Sequence, residues 1–380
     1  YIGERFLFYQ STETLLVFPF SPQNAGMQLK LFVPVVAGIS LLPVIFIIRR
    51  RVNYKFAYWF QFSPFLIIVC MGLLAPQRID KKNSHYFHVE KLFCQQQYDK
   101  MIAFNSQFPS NNMLTNYLNN IALAETGMLT DALFRFPQSP DGSTLFLKWD
   151  LSSEVLKRGG YFYYSLGMIN EANRWAYEYM VMRGNTPEGL KMLIKTELIN
   201  GNYAVAEKYI HILGQSLFYR SEAQKFSQML FDDGKVETDS ELGAKRKLKT
   251  RQDFFVLAEN PLASLDGILA ADSTNRIALQ YQFAWLLLQK DYARVTELLP
   301  MIENAGFQWI PKNIEEAVVA YCLLNQLPFP ALEKLAINPQ TQQQFQQYYQ
   351  IFQQNGATRE QAQRALQKYA GTYWYYVFFN

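Results

Sequence analysis

The chain has 380 residues, of which 49% are hydrophobic, 16% aromatic and 18% charged, with a formal net charge of +4. A charged share below the roughly 25% usual for soluble domains excludes disorder, and a mean hydropathy of −0.12 excludes a chain embedded in a membrane throughout. Three cysteines, Cys70, Cys94 and Cys322, are too few and too scattered for a disulfide framework or a zinc module, and the mild positive charge does not by itself argue for nucleic acid.

Residues 1–28 begin YIGERFLFYQSTETLLVFPFSP, alternate aromatic and polar side chains up to Pro19 and Pro22, and read as an extracytoplasmic or interfacial segment. The first residue is Tyr1 rather than Met and nothing near it follows signal-peptide order, so the chain is expected to be the later part of a longer protein. Residues 31–48 and 56–75 contain no charge, and each is long enough to span a hydrocarbon core. Pro34, Pro43 and Pro64 inside them are tolerated where neighbouring helices satisfy the backbone. The intervening Arg49, Arg50, Arg51 and Lys55 favour a cytoplasmic loop, although Arg78, Lys81, Lys82 and Lys91 follow the second span. A transmembrane hairpin of this orientation leaves everything from Pro76 outside the inner membrane, in the periplasm of a bacterium. The bilayer is thus one expected partner.

From residue 84 to 230 the apolar residues recur at helical spacing, and one phrase returns. Gly127, Gly167 and Gly201 are each followed by a large apolar residue at +2 (Leu129, Ile169, Tyr203) and alanine at +5 (Ala132, Ala172, Ala206). Lys290 with Tyr292 and Val295, and Gln96 with Tyr98 and Met101, are degenerate copies that lack both the glycine and the alanine. The physics is that of a helix hairpin: glycine takes the left-handed position that ends the first helix, the +2 residue plugs the gap, and the small +5 residue permits close approach. One such pair cannot bury its apolar face alone, so the expected fold is all-α, a solenoid of stacked helix pairs. The segments 111–136, 189–213 and 276–299 resemble tetratricopeptide repeats, with the family's tryptophan and closing proline mostly missing.

Residues 231–260 interrupt the pattern with acidic residues and then Lys245, Arg246, Lys247, Lys249 and Arg251, which reads as an exposed charged connection. Those cations suit anionic headgroups or an acidic partner, or belong to a solvated loop whose charges neutralise one another. A second helical block follows over 261–380. Nine of the fifteen residues from Gln340 to Gln354 are glutamine, yet Phe345, Tyr348, Tyr349 and Phe352 keep one helical face apolar. The ending YWYYVFF is expected to dock on the last helices as a cap.

Chemistry is hard to find. His85 and His88 stand three apart, with Cys94 six residues further on, but no spacing supplies the remaining ligands of a metal site. No Ser/His/Asp set, paired carboxylates or phosphate loop emerges, so no catalytic, cofactor or metal residue is proposed. The carboxylates Glu125, Glu171, Glu197 and Glu207 are scattered over helices. A binding surface is the positive alternative: the aromatic-rich stretch from Tyr161 to Tyr179, with Tyr163, Tyr164, Trp175 and Tyr179 foremost, or else Lys245, Arg246 and Lys247. The same aromatics fit a core equally well.

Membrane hairpin, repeat array and the GTYWYYVFFN ending together resemble an uncharacterised family of Bacteroidota membrane proteins of the DUF6057 type. The resemblance implies further spans upstream and a helical domain, and carries no activity. The leading expectation is a membrane-anchored scaffold that presents its solenoid to a protein, peptide or envelope component and not to nucleic acid. The alternative is an accessory domain of a membrane enzyme, such as a lipid-linked glycosyl transferase, whose catalytic module lies upstream.

Overall fold

A computed structural model describes residues 81–150, 153–250, 261–355 and 358–379. The chain forms two compact units, Tyr1–His88 and Val89–Asn380, and the helical array belongs to the second. The two expected membrane spans and the segment before them lie outside the described residues. Among the described residues no helix is long and apolar enough to cross a membrane, and every regular element is helical.

The first block contains α1 (Lys81–Cys94), α2 (Tyr98–Gln107), α3 (Met113–Glu125), the single turn α4 (Leu129–Ala132), α5 (Ser153–Ser165), α6 (Ile169–Arg183), α7 (Pro187–Asn200), α8 (Tyr203–Gly214) and α9 (Arg220–Ser227). Two short helices follow, α10 (Asp233–Thr238) and α11 (Leu242–Leu248). The second block holds α12 (Pro261–Ala271), α13 (Arg276–Leu288), α14 (Tyr292–Leu298), α15 (Pro300–Asn304), α16 (Lys312–Leu324), α17 (Pro339–Asn355), α18 (Arg359–Ala365) and α19 (Tyr373–Phe379). Several starts follow from local chemistry. The Asn112 side chain accepts from Thr115 N–H, Asn275 from Ala278 N–H, and Thr186 from Gly189 N–H with Pro187 in the first turn.

The hairpin phrase has one geometry in all five copies. Gly127, Gly167 and Gly201 sit at φ 76°, 83° and 77°, and the degenerate Gln96 and Lys290 hold the same left-handed conformation at 55° and 59°. The next residue's N–H closes a six-residue ring at each turn: Gln97 to the Leu92 carbonyl, Met128 to Leu123, Met168 to Tyr163, Asn202 to Glu197 and Asp291 to Leu286, at 2.7–3.0 Å. This is the Schellman closure, which satisfies carbonyls a helix end leaves unpaired. The +5 residues Met101, Ala132, Ala172, Ala206 and Val295 are all buried, as a close helix approach demands.

Helices α5 to α9 stack in chain order, each on the next. The second block does not extend that row from α9. Instead α13 packs on α3 and α4, and α16 packs on α4, so the α3–α4 pair has α5 on one side and the second block on the other. Gln280 joins them: its Oε1 accepts from Leu129 N–H and its amide donates to the Ala124 carbonyl. Asp131 of α4 accepts from Lys312 N–H at the start of α16 at 2.7 Å. The aromatic ending forms α19, with Trp374, Tyr375 and Phe379 buried among Val319, Phe345, Tyr348 and Leu366, and Tyr373 buried against Phe134 and Tyr292.

The segment expected as an exposed charged connection, 231–260, is helical over α10 and α11. Lys245 and Val236 in it are buried. Some of its charges pair within the segment, Arg246 with Asp233 and Lys235 with Asp232, while Lys245 pairs with the distant Glu125 and so brings the chain from the far end of the first block back towards α3–α4.

Candidate functional site

The returning segment α10–α11 acts as a strap across the C-terminal ends of α3, α5 and α7. A helix C-terminus presents unpaired carbonyls and the negative end of the macrodipole, so cations are favoured there. Lys245 Nζ meets Glu125 Oε1 at 2.6 Å, at the end of α3, and donates to the Ser165 carbonyl at 3.0 Å, at the end of α5. Arg246 donates to the Ile199 and Leu198 carbonyls of α7 at 3.2 and 2.8 Å, and pairs with Asp233 at 2.8 Å. Asn275 completes the row with a 3.0 Å bond to the Leu166 carbonyl. Lys247 is exposed. Of the three cations selected from sequence, two therefore hold the fold together and only the third faces solvent.

Two buried ionic clusters line the inner side. Glu241 accepts from Lys195 Nζ at 2.6 Å and from the Tyr164 hydroxyl at 3.0 Å. Burial pushes its carboxyl up, but Lys195 and these bonds outweigh it and hold the group below its ordinary value. Glu90 takes both Lys157 and Arg158 at 2.8 Å. Burial again opposes, and the two cations prevail, so Glu90 also stays ionised below the usual range. The fully buried Arg158 guanidinium reaches Glu154 on its other side. Removing Glu90 would strand the buried Arg158, which is far costlier than losing a surface pair, whereas Lys195 beside Glu241 keeps partial access to water.

The four aromatic residues chosen as a surface are interior. Trp175 is 0% exposed, donates its Nε1–H to Glu171 at 3.0 Å and stands edge-on to Trp149 at 4.6 Å. Tyr163 lies 5.9 Å from Trp175, and burial raises the Tyr163, Tyr164 and Tyr179 hydroxyls, which stay protonated. Tyr177, on the opposite side of α6, is the one aromatic between Tyr161 and Tyr179 that the fold leaves outside. Tyr177, Val181 and Met182 are 49%, 61% and 52% exposed, a run of apolar side chains that no described helix covers. Sequence periodicity missed the phase because WAYEYMVM is apolar on nearly every face of α6.

Among the described residues no group of three or more His, Cys, Asp or Glu is placed to hold a metal ion. Cys94 is a free, surface-accessible cysteine whose thiol is raised by desolvation from its neighbours and by Glu90, which disfavours the thiolate. Cys322 is buried in α16, with its sulfur 3.7 Å from the Pro328 carbonyl.

Over the described residues the geometry defines an all-helical array of stacked helices, clasped by a cationic strap, with Glu90, Arg158, Glu241 and Lys245 engaged in holding helices together. The chain belongs to DUF6057, described as a family of unknown function, whose model matches residues 1–380. No curated protein and no solved structure matches it significantly.

Proposed function

We propose that this protein is a membrane-anchored helical-repeat scaffold. Its array, tetratricopeptide-like in the hairpin turns, binds a protein, peptide or envelope component at the bacterial inner membrane, with the helical unit on the periplasmic side. The observation that carries the binding role is the apolar run Tyr177, Val181 and Met182, three exposed large apolar side chains within the one helix α6. Anchoring rests on the two charge-free stretches at 31–48 and 56–75 and the basic loop between them. The binding surface thereby moves from Tyr163 and Tyr164 of α5 and Trp175 and Tyr179 of α6 to the outer face of α6.

A photo-crosslinking residue placed at Val181 in growing cells tests the reading, with the same residue at Lys247 as the comparison. Discrete adducts from position 181, weakened by Tyr177→Ser, are expected. Folded protein that yields no adduct at 181 would refute the proposal.

A further inference from the structure

The C-terminal helix α19 is held by a buried carboxylate. Glu316 lies in the middle of α16 with a side chain 3% exposed, and its Oε2 accepts from Tyr373 N–H at 2.6 Å, in the first turn of α19. Its backbone carbonyl accepts from Trp374 Nε1 at 2.6 Å, so one residue grips two successive residues of the tail. Around it, Tyr373 donates its hydroxyl to the Leu287 carbonyl at 2.6 Å, Lys312 reaches the Gly371 carbonyl at 3.0 Å, and Lys290 reaches the Val377 carbonyl at 3.4 Å. The tail side chains beneath this grip fill an aromatic cluster with Phe345, Tyr348 and Tyr369.

The charges facing Glu316 do not balance it. From α16 itself, Lys312 stands at 3.7 Å with its side chain 42% exposed, and neighbouring Glu315 opposes ionisation while serving Asn338 N–H and Thr341 at the start of α17. Asp131 from α4 is spent on Lys312 N–H. From α14 comes the neutral hydroxyl of Tyr292, and from α17 that of Tyr348, bonded to the Trp374 carbonyl. A carboxylate in this place has one partial counter-ion and one N–H donor in a dry environment.

We propose that protonation of Glu316 sets the docking of α19, so that the aromatic tail is a pH-responsive clasp, tight in mild acid and looser in mild alkali. The inference goes beyond the scaffold reading and does not depend on it. Burial raises the Glu316 carboxyl from 4.5 to about 7, against the bond from Tyr373 and the pull of Lys312. A folded value above the unfolded one means docking is strongest below the unfolded value and weakens as pH rises through the folded one. With 4.5 taken as the limit for a carboxyl fully returned to water on undocking, against about 7 when docked, the docking equilibrium falls by at most roughly 25- to 30-fold between pH 5.5 and 8.

Hydrogen exchange of the full chain, read on peptides covering 373–379 and corrected for intrinsic rates, measures that equilibrium directly, with α7 peptides as an internal reference. Glu316→Gln keeps an oxygen acceptor for Tyr373 N–H but does not titrate. The expected result is a protection loss of at least tenfold in the wild type between pH 5.5 and 8, flattened in E316Q. Protection that stays flat in the wild type overturns the proposal even if E316Q fails to fold, and an equal slope in both proteins overturns it too.

Discussion

Gly167 and Gly201 occupy the same place in the repeat, yet replacing each with alanine should have different consequences. Both lie near φ +80°, where an alanine costs about 1 kcal/mol relative to glycine. At Gly201 a Cβ would enter open space, so that conformational cost is the whole effect. At Gly167 the Cβ would stand 2.4 Å from the Leu248 carbonyl oxygen and 2.7 Å from its carbon, and backbone cannot swing aside as a side-chain tip can. The strap must shift, loosening the bond from Lys245 to the Ser165 carbonyl and adding about 1–3 kcal/mol of overpacking. Gly167→Ala should therefore lose about 2–4 kcal/mol and Gly201→Ala about 1 kcal/mol. Urea denaturation of both variants, with Gly127→Ala as a second open-space control, reads the difference. Equal losses at all three positions would refute the close approach of the strap to the end of α5.

Three further outcomes follow from the same geometry. Lys290→Gly and Gln96→Gly relieve left-handed strain and should each stabilise by up to about 1 kcal/mol in a denaturant titration; a loss at both would contradict their role as hairpin turns. Trp175→Ala should cost about 3–5 kcal/mol, whereas Tyr177→Ala should stay within about 0.5 kcal/mol. Similar costs at the two positions would mean the phase of α6 is wrong. Glu90 and Glu241 have folded values below their unfolded ones, so their contribution is present above about pH 4.5 and is lost as pH falls through the folded values. Urea midpoints between pH 6 and 3 should decline less steeply in Glu90→Gln and Glu241→Gln than in the wild type, and unchanged slopes would count against the clusters.

The hairpins were legible because their determinants are local. A glycine, an apolar +2 and a small +5 residue specify a left-handed turn and a close approach within six residues, and even Lys290 and Gln96 kept enough of that signature to be aligned. The strap was not legible. Lys245 and Arg246 look solvated in sequence because their partners, Glu125 and the carbonyls of Ser165, Leu198 and Ile199, lie 47 to 120 positions away, and helix-end carbonyls carry no side-chain signal at all. The placement of the second block on α3–α4 was hidden for a related reason: periodicity reports which face of a helix is apolar, never which neighbour covers it. The aromatic surface failed differently, since α6 carries apolar residues all round and only the packed fold tells Tyr177 from Trp175.

The central claim is that the strap crosses back over the first block and secures its helix ends. A double-mutant cycle between Lys245→Met and Glu125→Gln, two residues 120 positions apart with nitrogen and oxygen 2.6 Å apart and little exposed, tests it most directly. Coupling of about 1–3 kcal/mol in urea unfolding is predicted for this largely buried pair, and additivity within about 0.5 kcal/mol would contradict the account.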